Sequence, residues 1–125
     1  MGGNLTLVAH AVGSVSGLQT KNAILFLEDI GEYKYNIDRM MIQLKRAGML
    51  KNLAGLIVGG FTQTKDSDPA FGATVYEIIE NAVAAYNYPV CYDFPVSHDK
   101  ENYAIKHGVH YTLQVNAKKV SLQEL

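Results

Sequence analysis

Two adjacent carboxylates and one histidine are the residues of this sequence with the clearest capacity for chemistry. Glu28 and Asp29 end one apolar run, and His98 follows a shorter apolar run, Pro89–Phe94. A carboxylate that accepts a hydrogen bond from one imidazole nitrogen orients the ring and leaves the other nitrogen to act as a base. Such a pair is two thirds of a nucleophilic triad. The alternative is that the two carboxylates only solvate the end of a strand.

The third part of a triad, an activated hydroxyl or thiol, has no good candidate in the sequence. Ser97 adjoins His98 in a predicted loop without an evident oxyanion hole, and no serine lies in a G-x-S-x-G context. Cys91 is the only cysteine, and it falls inside a predicted strand, where it is interpreted as a small buried hydrophobe. We therefore expect the nucleophile to be missing from this chain.

A metal site is the weaker hypothesis for the histidines. His107 and His110 are three residues apart, with His98 and the two carboxylates upstream. They lie at a predicted strand start, where alternation sends positions 107 and 110 to opposite faces. The glycine pairs Gly2–Gly3 and Gly59–Gly60 lack the spacing of a dinucleotide or phosphate-loop fingerprint. We expect no metal and no cofactor.

Three apolar runs separated by helical patterns must position the candidate residues. The predicted strands are Ala23–Glu28, Leu53–Gly60 and Pro89–Phe94, and a hairpin is predicted from Tyr111–Val115 and Val120–Leu122. The predicted helices follow a cap at Asn4 and end at Gly13, follow a cap at Asn36 and end at Gly48, and span Ala70–Tyr86. Strands that alternate with helices predict an α/β domain with a small, mostly parallel sheet. Glu28, Gly59–Gly60 and His98 then converge at one edge of it.

Composition narrows the classes of function. The 125 residues suit one domain, and 48% apolar with 18% charged residues is globular. A formal net charge of −1 gives no excess of positive charge for binding nucleic acid. No apolar run approaches the roughly 18–20 residues of a membrane helix. A single cysteine fits a reducing compartment. The N-terminus lacks the features of a signal peptide, and its abrupt start leads us to expect a piece of a longer protein.

The eight tyrosines keep a second class of function open. Tyrosine combines apolar area with a polar tip, so it suits both packing and partner surfaces. Most of them are expected to pack at the ends of elements. Tyr33 and Tyr35 follow the acidic strand end and are expected to line a site or an interface. The corresponding hypothesis is a non-catalytic interaction module.

Four stretches of the sequence together resemble a known enzyme family. They are GGNLTLVAHAVG, ILFLEDIGEYKYNIDRMMIQLKRAGML, LIVGGFT and FPVSHDKEN. They occur in the right order, and the resemblance that they carry extends over essentially the whole chain. They resemble the C-terminal domain of the serine LD-carboxypeptidases, which are the muramoyltetrapeptide carboxypeptidases. The microcin-immunity peptidases are relatives of these enzymes. The resemblance implies a swivelling-type β/α domain over residues 1–125, without a metal.

The resemblance also implies a Ser-Glu-His triad in a two-domain hydrolase. Its serine and oxyanion hole would belong to an N-terminal domain absent from this chain, and its glutamate and histidine fall on Glu28 and His98. Asp29 and Glu32 are candidate substrate-binding residues, and the alternative role for Glu32 is a place in the subunit interface. The implied reaction releases the terminal D-alanine of a murein tetrapeptide during peptidoglycan recycling, in a cytoplasmic homodimer. A microcin-immunity-type peptidase acting on peptidyl or aminoacyl nucleotide analogues is the alternative.

The sequence departs from the family pattern around the histidine. Ser97 stands where the family often has glycine. The family's N-x-x-L-P-x-G run after the histidine is replaced by a stretch from Asn102 to Gly108 that contains Lys106 and His107. These differences concern the shape of the pocket rather than the pair of Glu28 and His98.

Overall fold

The computed structural model describes all 125 residues and consists of a parallel sheet, three helices and a hairpin. The sheet strands are β1 (Gly2–Asn4), β2 (Ile24–Ile30), β3 (Gly55–Thr62) and β4 (Val90–Phe94), in the spatial order β1-β2-β3-β4. The helices are α1 (Leu5–His10), α2 (Lys34–Arg46) and α3 (Val75–Val83), and the hairpin strands are β5 (Tyr111–Val115) and β6 (Val120–Glu124). The predicted α/β class with a C-terminal hairpin is confirmed.

One strand of the sheet was not predicted. β1 has only three residues, two of them glycines, so neither its length nor its composition gives a strand signal. It pairs in parallel with β2, and Gly2 lies opposite Phe26. A Cβ atom at Gly2 would overlap the carbonyl oxygen of Phe26, so the close approach of these two strands requires glycine there.

The helix bounds differ from the predictions because of local capping. Asn4 caps α1 as predicted, since its side chain accepts a hydrogen bond from the Leu7 amide at 3.1 Å. The predicted cap at Asn36 is wrong, because α2 begins two residues before it. The predicted start of α3 at Ala70 is also wrong. A reciprocal pair of hydrogen bonds between Thr74 and Glu77 fixes the start at Val75, and this is the S/T-x-x-E capping box.

The three helices cover one face of the sheet, which we call the helix face. Alternate side chains of the two central strands point to it, and these are Leu25 and Leu27 from β2 and Leu56 and Val58 from β3. They pack with the apolar stripes of all three helices in one cluster of 16 buried residues. This cluster is the main hydrophobic core. None of the three helices has the length and hydrophobicity that a membrane-spanning helix requires.

The other face of the sheet is covered by the chain that follows β4, and we call it the segment face. Ile57, Cys91 and Val96 are buried there, outside the main core cluster. Phe26 meets the ring of His107 edge-on with the centroids 5.4 Å apart. The hairpin packs against β3, since a Cβ atom at Gly55 would lie 2.8 Å from Leu113. The two faces therefore have different coverings, one of regular helices and one largely of loop.

Candidate functional site

Glu28 lies inside β2, near its C-terminal end, and points to the segment face. The predicted strand ended at Glu28, but the observed strand continues to Ile30 and pairs Asp29 with Phe61 of β3. The register between β2 and β3 shifts between Leu27 and Asp29, so Glu28 sits at an irregularity of the ladder. Only 10% of the Glu28 side chain is exposed. A buried carboxylate needs a partner, and this one has it.

His98 is that partner. The Nδ1 atom of its ring lies 2.7 Å from the Oε2 atom of Glu28, which is the distance of a charge-assisted hydrogen bond. The ring is 48% exposed, and its Nε2 atom makes no hydrogen bond within the chain. The sequence-based prediction that these two strand ends converge therefore holds for the geometry, across 70 residues of chain.

The loop that carries His98 is closed upon itself, and we call residues Pro95–Tyr103 the histidine loop. At its base, the Tyr103 amide donates to the Pro95 carbonyl at 2.9 Å. Just before it, β4 gains one residue relative to β3, with Asp93 at a φ of +53°. Such a bulge bends the strand and redirects the chain that leaves it. The loop is thereby turned back over the end of β3, towards Glu28.

Glycines of β3 allow the loop to come this close. The Val96 carbonyl lies where a Cβ atom of Gly59 would be, and the side chain of Ser97 lies over Gly60. A Cβ atom at Gly59 would also be 3.2 Å from the Cβ atom of Glu28. The glycine pair was predicted to permit close backbone approach at this edge, and the structure shows which chain approaches.

The chemistry available to the pair follows from the tautomer that Glu28 selects. An imidazole that donates its Nδ1 hydrogen to a carboxylate has its lone pair on Nε2, where it can accept a proton. When the ring becomes positively charged, the same carboxylate stabilises the charge. An oriented imidazole at the edge of an α/β sheet is typical of hydrolases that use a serine or cysteine nucleophile.

Asp29 points to the opposite face and is fully engaged there. Its carboxylate accepts hydrogen bonds from the Asn4 side chain at 2.8 Å, the Thr6 amide at 2.9 Å, the Thr6 hydroxyl at 2.8 Å and the Ile30 amide at 2.8 Å. Four donors use about all the acceptor positions of a carboxylate, and the residue is 3% exposed. These contacts give no support to the prediction that Asp29 binds substrate. They join β1, α1 and β2.

Glu32 lies at the same sheet edge, in the turn between β2 and α2. Its carboxylate accepts a hydrogen bond from the Asn36 side chain at 3.1 Å and is 3.4 Å from the Thr6 hydroxyl. Together with His10 and Arg39 these residues line a polar depression of about 210 Å³. Glu32 is half-buried and keeps acceptor capacity, so its geometry is compatible with a bound polar group.

Neither intrinsic nucleophile candidate is placed to attack. Cys91 is buried in β4, and burial raises the pKa of its thiol, which disfavours the reactive thiolate. The hydroxyl of Ser97 accepts a hydrogen bond from the Asp99 amide at 3.0 Å and is not bonded to His98. The histidines also lie apart, and no group of three or more His, Cys, Asp or Glu side chains is arranged to hold a metal ion.

Tyr33 and Tyr35 lie together at the same sheet edge. Their rings are 5.3 Å apart, Lys65 lies 5.6 Å over the Tyr33 ring and Arg39 lies 5.2 Å over the Tyr35 ring. The expectation that these tyrosines line a site or an interface stays a prediction. Sequence reasoning missed the role of Thr6, whose hydroxyl and amide both bind Asp29, and no motif in the sequence marked it.

Comparisons with known proteins agree with this architecture. The model of the LD-carboxypeptidase C-terminal domain matches residues 1–113. A probable murein peptide carboxypeptidase of Bacillus subtilis strain 168 is 28% identical over 123 residues, which is 98% of this chain and 39% of that protein. The crystal structure of muramoyltetrapeptide carboxypeptidase from Oxalobacter formigenes has a TM-score of 0.87 and 32% identity, over 98% of this chain and 43% of that one.

A MccF-like protein from Bacillus anthracis str. Ames shares the fold, with a TM-score of 0.75 at 20% identity, over 98% of this chain and 37% of that one. The chain belongs to the LD-carboxypeptidase family, a family of serine peptidases, and corresponds to its C-terminal domain. It spans about two fifths of the length of the curated relatives it matches.

Proposed function

We propose that this chain supplies the glutamate and histidine of the Ser-Glu-His triad in a serine LD-carboxypeptidase that acts on murein tetrapeptide. The observation that carries the proposal is the 2.7 Å contact between Glu28 and His98, with Nε2 of the ring unbonded at an exposed edge. The names of two relatives, a probable murein peptide carboxypeptidase and a muramoyltetrapeptide carboxypeptidase, support the choice of substrate. The reaction would be hydrolysis of the L,D-peptide bond to the terminal D-alanine.

In this proposal His98 moves one proton twice. Its Nε2 atom takes the proton of the attacking serine hydroxyl as the serine oxygen bonds to the scissile carbonyl carbon. The ring then gives that proton to the nitrogen of the leaving D-alanine as the carbon–nitrogen bond breaks. In the second half of the reaction Nε2 takes a proton from a water molecule as the water oxygen bonds to the acyl carbon. The ring then returns that proton to the serine oxygen as the acyl–serine bond breaks. Glu28 holds the ring in the required tautomer and stabilises its charged form.

The nucleophile would come from an N-terminal domain joined to this one. Each matched relative has more than half of its length outside the matched region, which leaves room for such a domain. The chain alone would then have no peptidase activity, because the oriented base has no hydroxyl to activate. Turnover by the chain alone that disappears in Cys91→Ala or Ser97→Ala would contradict this account.

Asp29 and Glu32 take different parts in the proposal. The four hydrogen bonds to Asp29 favour a structural task at the junction of β1, α1 and β2. Glu32 remains a candidate substrate-binding residue. Its half-buried carboxylate lies at the edge of the sheet where β2 ends, and it can accept hydrogen bonds from an amine of the peptide. The whole enzyme would act as a cytoplasmic homodimer in peptidoglycan recycling.

The 2.7 Å contact also bears on the rival hypotheses. A non-catalytic interaction module would be favoured if the two groups were too far apart to bond, beyond about 3.2 Å, and they are not. A microcin-immunity-type peptidase shares the fold, and the choice between it and a murein peptidase depends on substrate contacts. The contact alone favours a hydrolase over a module.

The experiment joins this domain to the N-terminal domain of a family enzyme and measures turnover on two substrates. We expect release of D-alanine from murein tetrapeptide and little hydrolysis of an aminoacyl-sulfamoyl nucleotide. His98→Ala should abolish activity, whereas His107→Ala, on the same face but bonded to neither Glu28 nor His98, should retain it. Preferential hydrolysis of the nucleotide would identify the immunity-type activity. Full activity of His98→Ala would refute the triad.

A further inference from the structure

Ser97, the residue before His98, is buried and hydrogen-bonded although it lies in a loop. Ser97 is 8% exposed and is one of four buried polar or charged residues in the chain. Its hydroxyl accepts the Asp99 amide hydrogen at 3.0 Å, and its own amide lies 3.4 Å from the side-chain oxygen of Asn102. A serine hydroxyl that bonds to the amide two residues on forms a turn that fixes the backbone between them. The fixed residue is His98.

The side chain of Ser97 also locates the loop against β3. A Cβ atom built on Gly60 would lie 2.8 Å from the Ser97 Cβ atom and 2.9 Å from its hydroxyl oxygen, which is closer than real Cβ contacts. Ser97 therefore occupies the space that a side chain at position 60 would use. The neighbouring Gly59 is packed in the same way against Val96 and faces the Cβ atom of Glu28. One pair of glycines thus sets the distance between the loop and the carboxylate.

The His98 ring has little else to hold it. It is 48% exposed and its only hydrogen bond is to Glu28. A ring with so little packing depends on its backbone for position, because a side chain that is free to rotate would sample other rotamers.

We propose that Ser97 is a positioning residue for the triad, which acts by locking the histidine loop onto Gly60 and so holds the imidazole at Glu28. The inference rests on the proposed function for its effect on turnover, but its geometric part concerns this chain alone. Ser97 would act through His98 and would not touch the substrate.

The test uses three variants of the joined two-domain enzyme. Ser97→Ala removes the hydroxyl bond and keeps the Cβ contact, so we expect kcat to fall roughly tenfold with KM nearly unchanged. Gly60→Ala pushes the loop away, and a displacement of about 1 Å can cost on the order of a hundredfold in kcat. The double variant Gly60→Ala with Ser97→Gly removes the clash, and we expect it to be more active than Gly60→Ala alone.

The nitrogen-15 shifts of the His98 ring give a readout independent of catalysis. In the unmodified protein they should report one tautomer, with the hydrogen on Nδ1, and in Ser97→Ala they should move towards the average of a mobile ring. The control is Ser14→Ala, because the Ser14 hydroxyl accepts the Ser16 amide hydrogen at 3.2 Å in the same kind of turn, far from His98.

The outcomes separate this inference from the proposed function. Unchanged ring shifts and unchanged kcat in Ser97→Ala, or no recovery in the double variant, would overturn the role of Ser97. Full activity in Glu28→Gln with altered ring shifts in Ser97→Ala would instead refute the triad and leave the positioning role in place. If Gly60→Ala fails to fold, Ser97→Ala and the ring shifts still decide.

Discussion

The two faces of the sheet carry adjacent carboxylates in opposite situations. Glu28 points to the segment face and has one partner, the half-exposed ring of His98. Asp29 points to the helix face and accepts four hydrogen bonds from the chain itself. Successive residues of a strand face opposite sides, so one step along the backbone changes the environment completely. Residue type alone does not tell a carboxylate that pairs with a half-exposed ring from one that is enclosed by the chain.

The packing of the two faces differs in the same sense. The helix face buries 16 residues in one cluster. The segment face contains a cavity of about 240 Å³ between β2, β3 and the C-terminal chain, bordered by Phe26, Ile57 and Val109. A loop covering can hold a half-exposed histidine and leave its outer nitrogen accessible, which a helix layer packed to crystal density does not allow. We infer that stability comes mainly from the helix face and chemistry from the segment face.

The largest expected effect breaks the site and leaves the fold intact. In the joined two-domain enzyme, Glu28→Gln keeps the shape of the side chain but favours the wrong tautomer of His98, so we expect turnover to fall by up to about 10⁴-fold. The measurement is kcat for D-alanine release. The urea midpoint of the variant should stay close to that of the unmodified protein. A loss of less than tenfold would mean that Glu28 does not orient the ring.

A large loss of stability is expected from the helix face. Leu27 is fully buried beside Glu28 in sequence, and Leu27→Ala should lower the free energy of unfolding by about 2–5 kcal/mol. The matched control is Ile57→Ala, which removes the same number of carbon atoms from the segment face. Because Ile57 already borders the cavity, its removal should cost less. Urea denaturation of both variants measures the difference, and equal losses would contradict the division between the faces.

A smaller loss of stability is expected at Asp29. Replacement by alanine leaves the Thr6 amide and the Asn4 side chain without their acceptor, which costs about 1–3 kcal/mol of unfolding free energy. If the role is structural, kcat measured in the cold on the folded enzyme should change little. A specific rise in KM for the murein peptide with unchanged stability would restore the prediction that Asp29 binds substrate.

The pair of Glu28 and His98 was predictable because parallel strands bring their carboxyl ends to one edge. The two residues are 70 positions apart in the sequence, yet each lies at or just beyond the end of an apolar run. The parallel arrangement of the strands is enough to bring them together. The sequence did not allow us to predict which face Glu28 and Asp29 each point to, or which groups each contacts there. A strand buried on both faces shows a continuous apolar run, so its sequence hides which alternate positions meet helices.

Two other features, the strand β1 and the start of α3, were missed for different reasons. β1 is too short and too rich in glycine to show a strand pattern. Its formation depends on the close approach of Gly2 to Phe26, which are far apart in the sequence, so the sequence around β1 does not reveal it. Thr74 and Glu77 mark the start of α3 in the sequence, because they form a capping box. The prediction from the apolar pattern placed the start four residues before Thr74, at Ala70, and so overlooked this box. Local rules fixed the caps, whereas tertiary contacts fixed the edge strand.

The smallest effect concerns the tyrosines that flank the helix-face core. Burial, followed by the charge of Asp93 and a hydrogen bond to it, raises the pKa of Tyr76 to about 12, and burial raises the pKa of Tyr88 and Tyr92 as well. A phenol with a higher pKa in the folded protein holds its proton when the unfolded chain, with a pKa of 10.0, has lost it. The contribution of these tyrosines to stability is then constant below about pH 10 and is lost as the pH rises from about 10 towards 12.

Absorbance of phenolate against pH should show these tyrosines ionising late, and thermal unfolding should show the matching loss of stability. Tyr76→Phe removes one of the titrating groups and should make the loss shallower. Tyr103→Phe is the control, because Tyr103 is 66% exposed in the histidine loop on the segment face. If both variants changed the loss of stability with pH equally, the alkaline loss would not come from the tyrosines of the helix face. That result would contradict the contrast between the two faces.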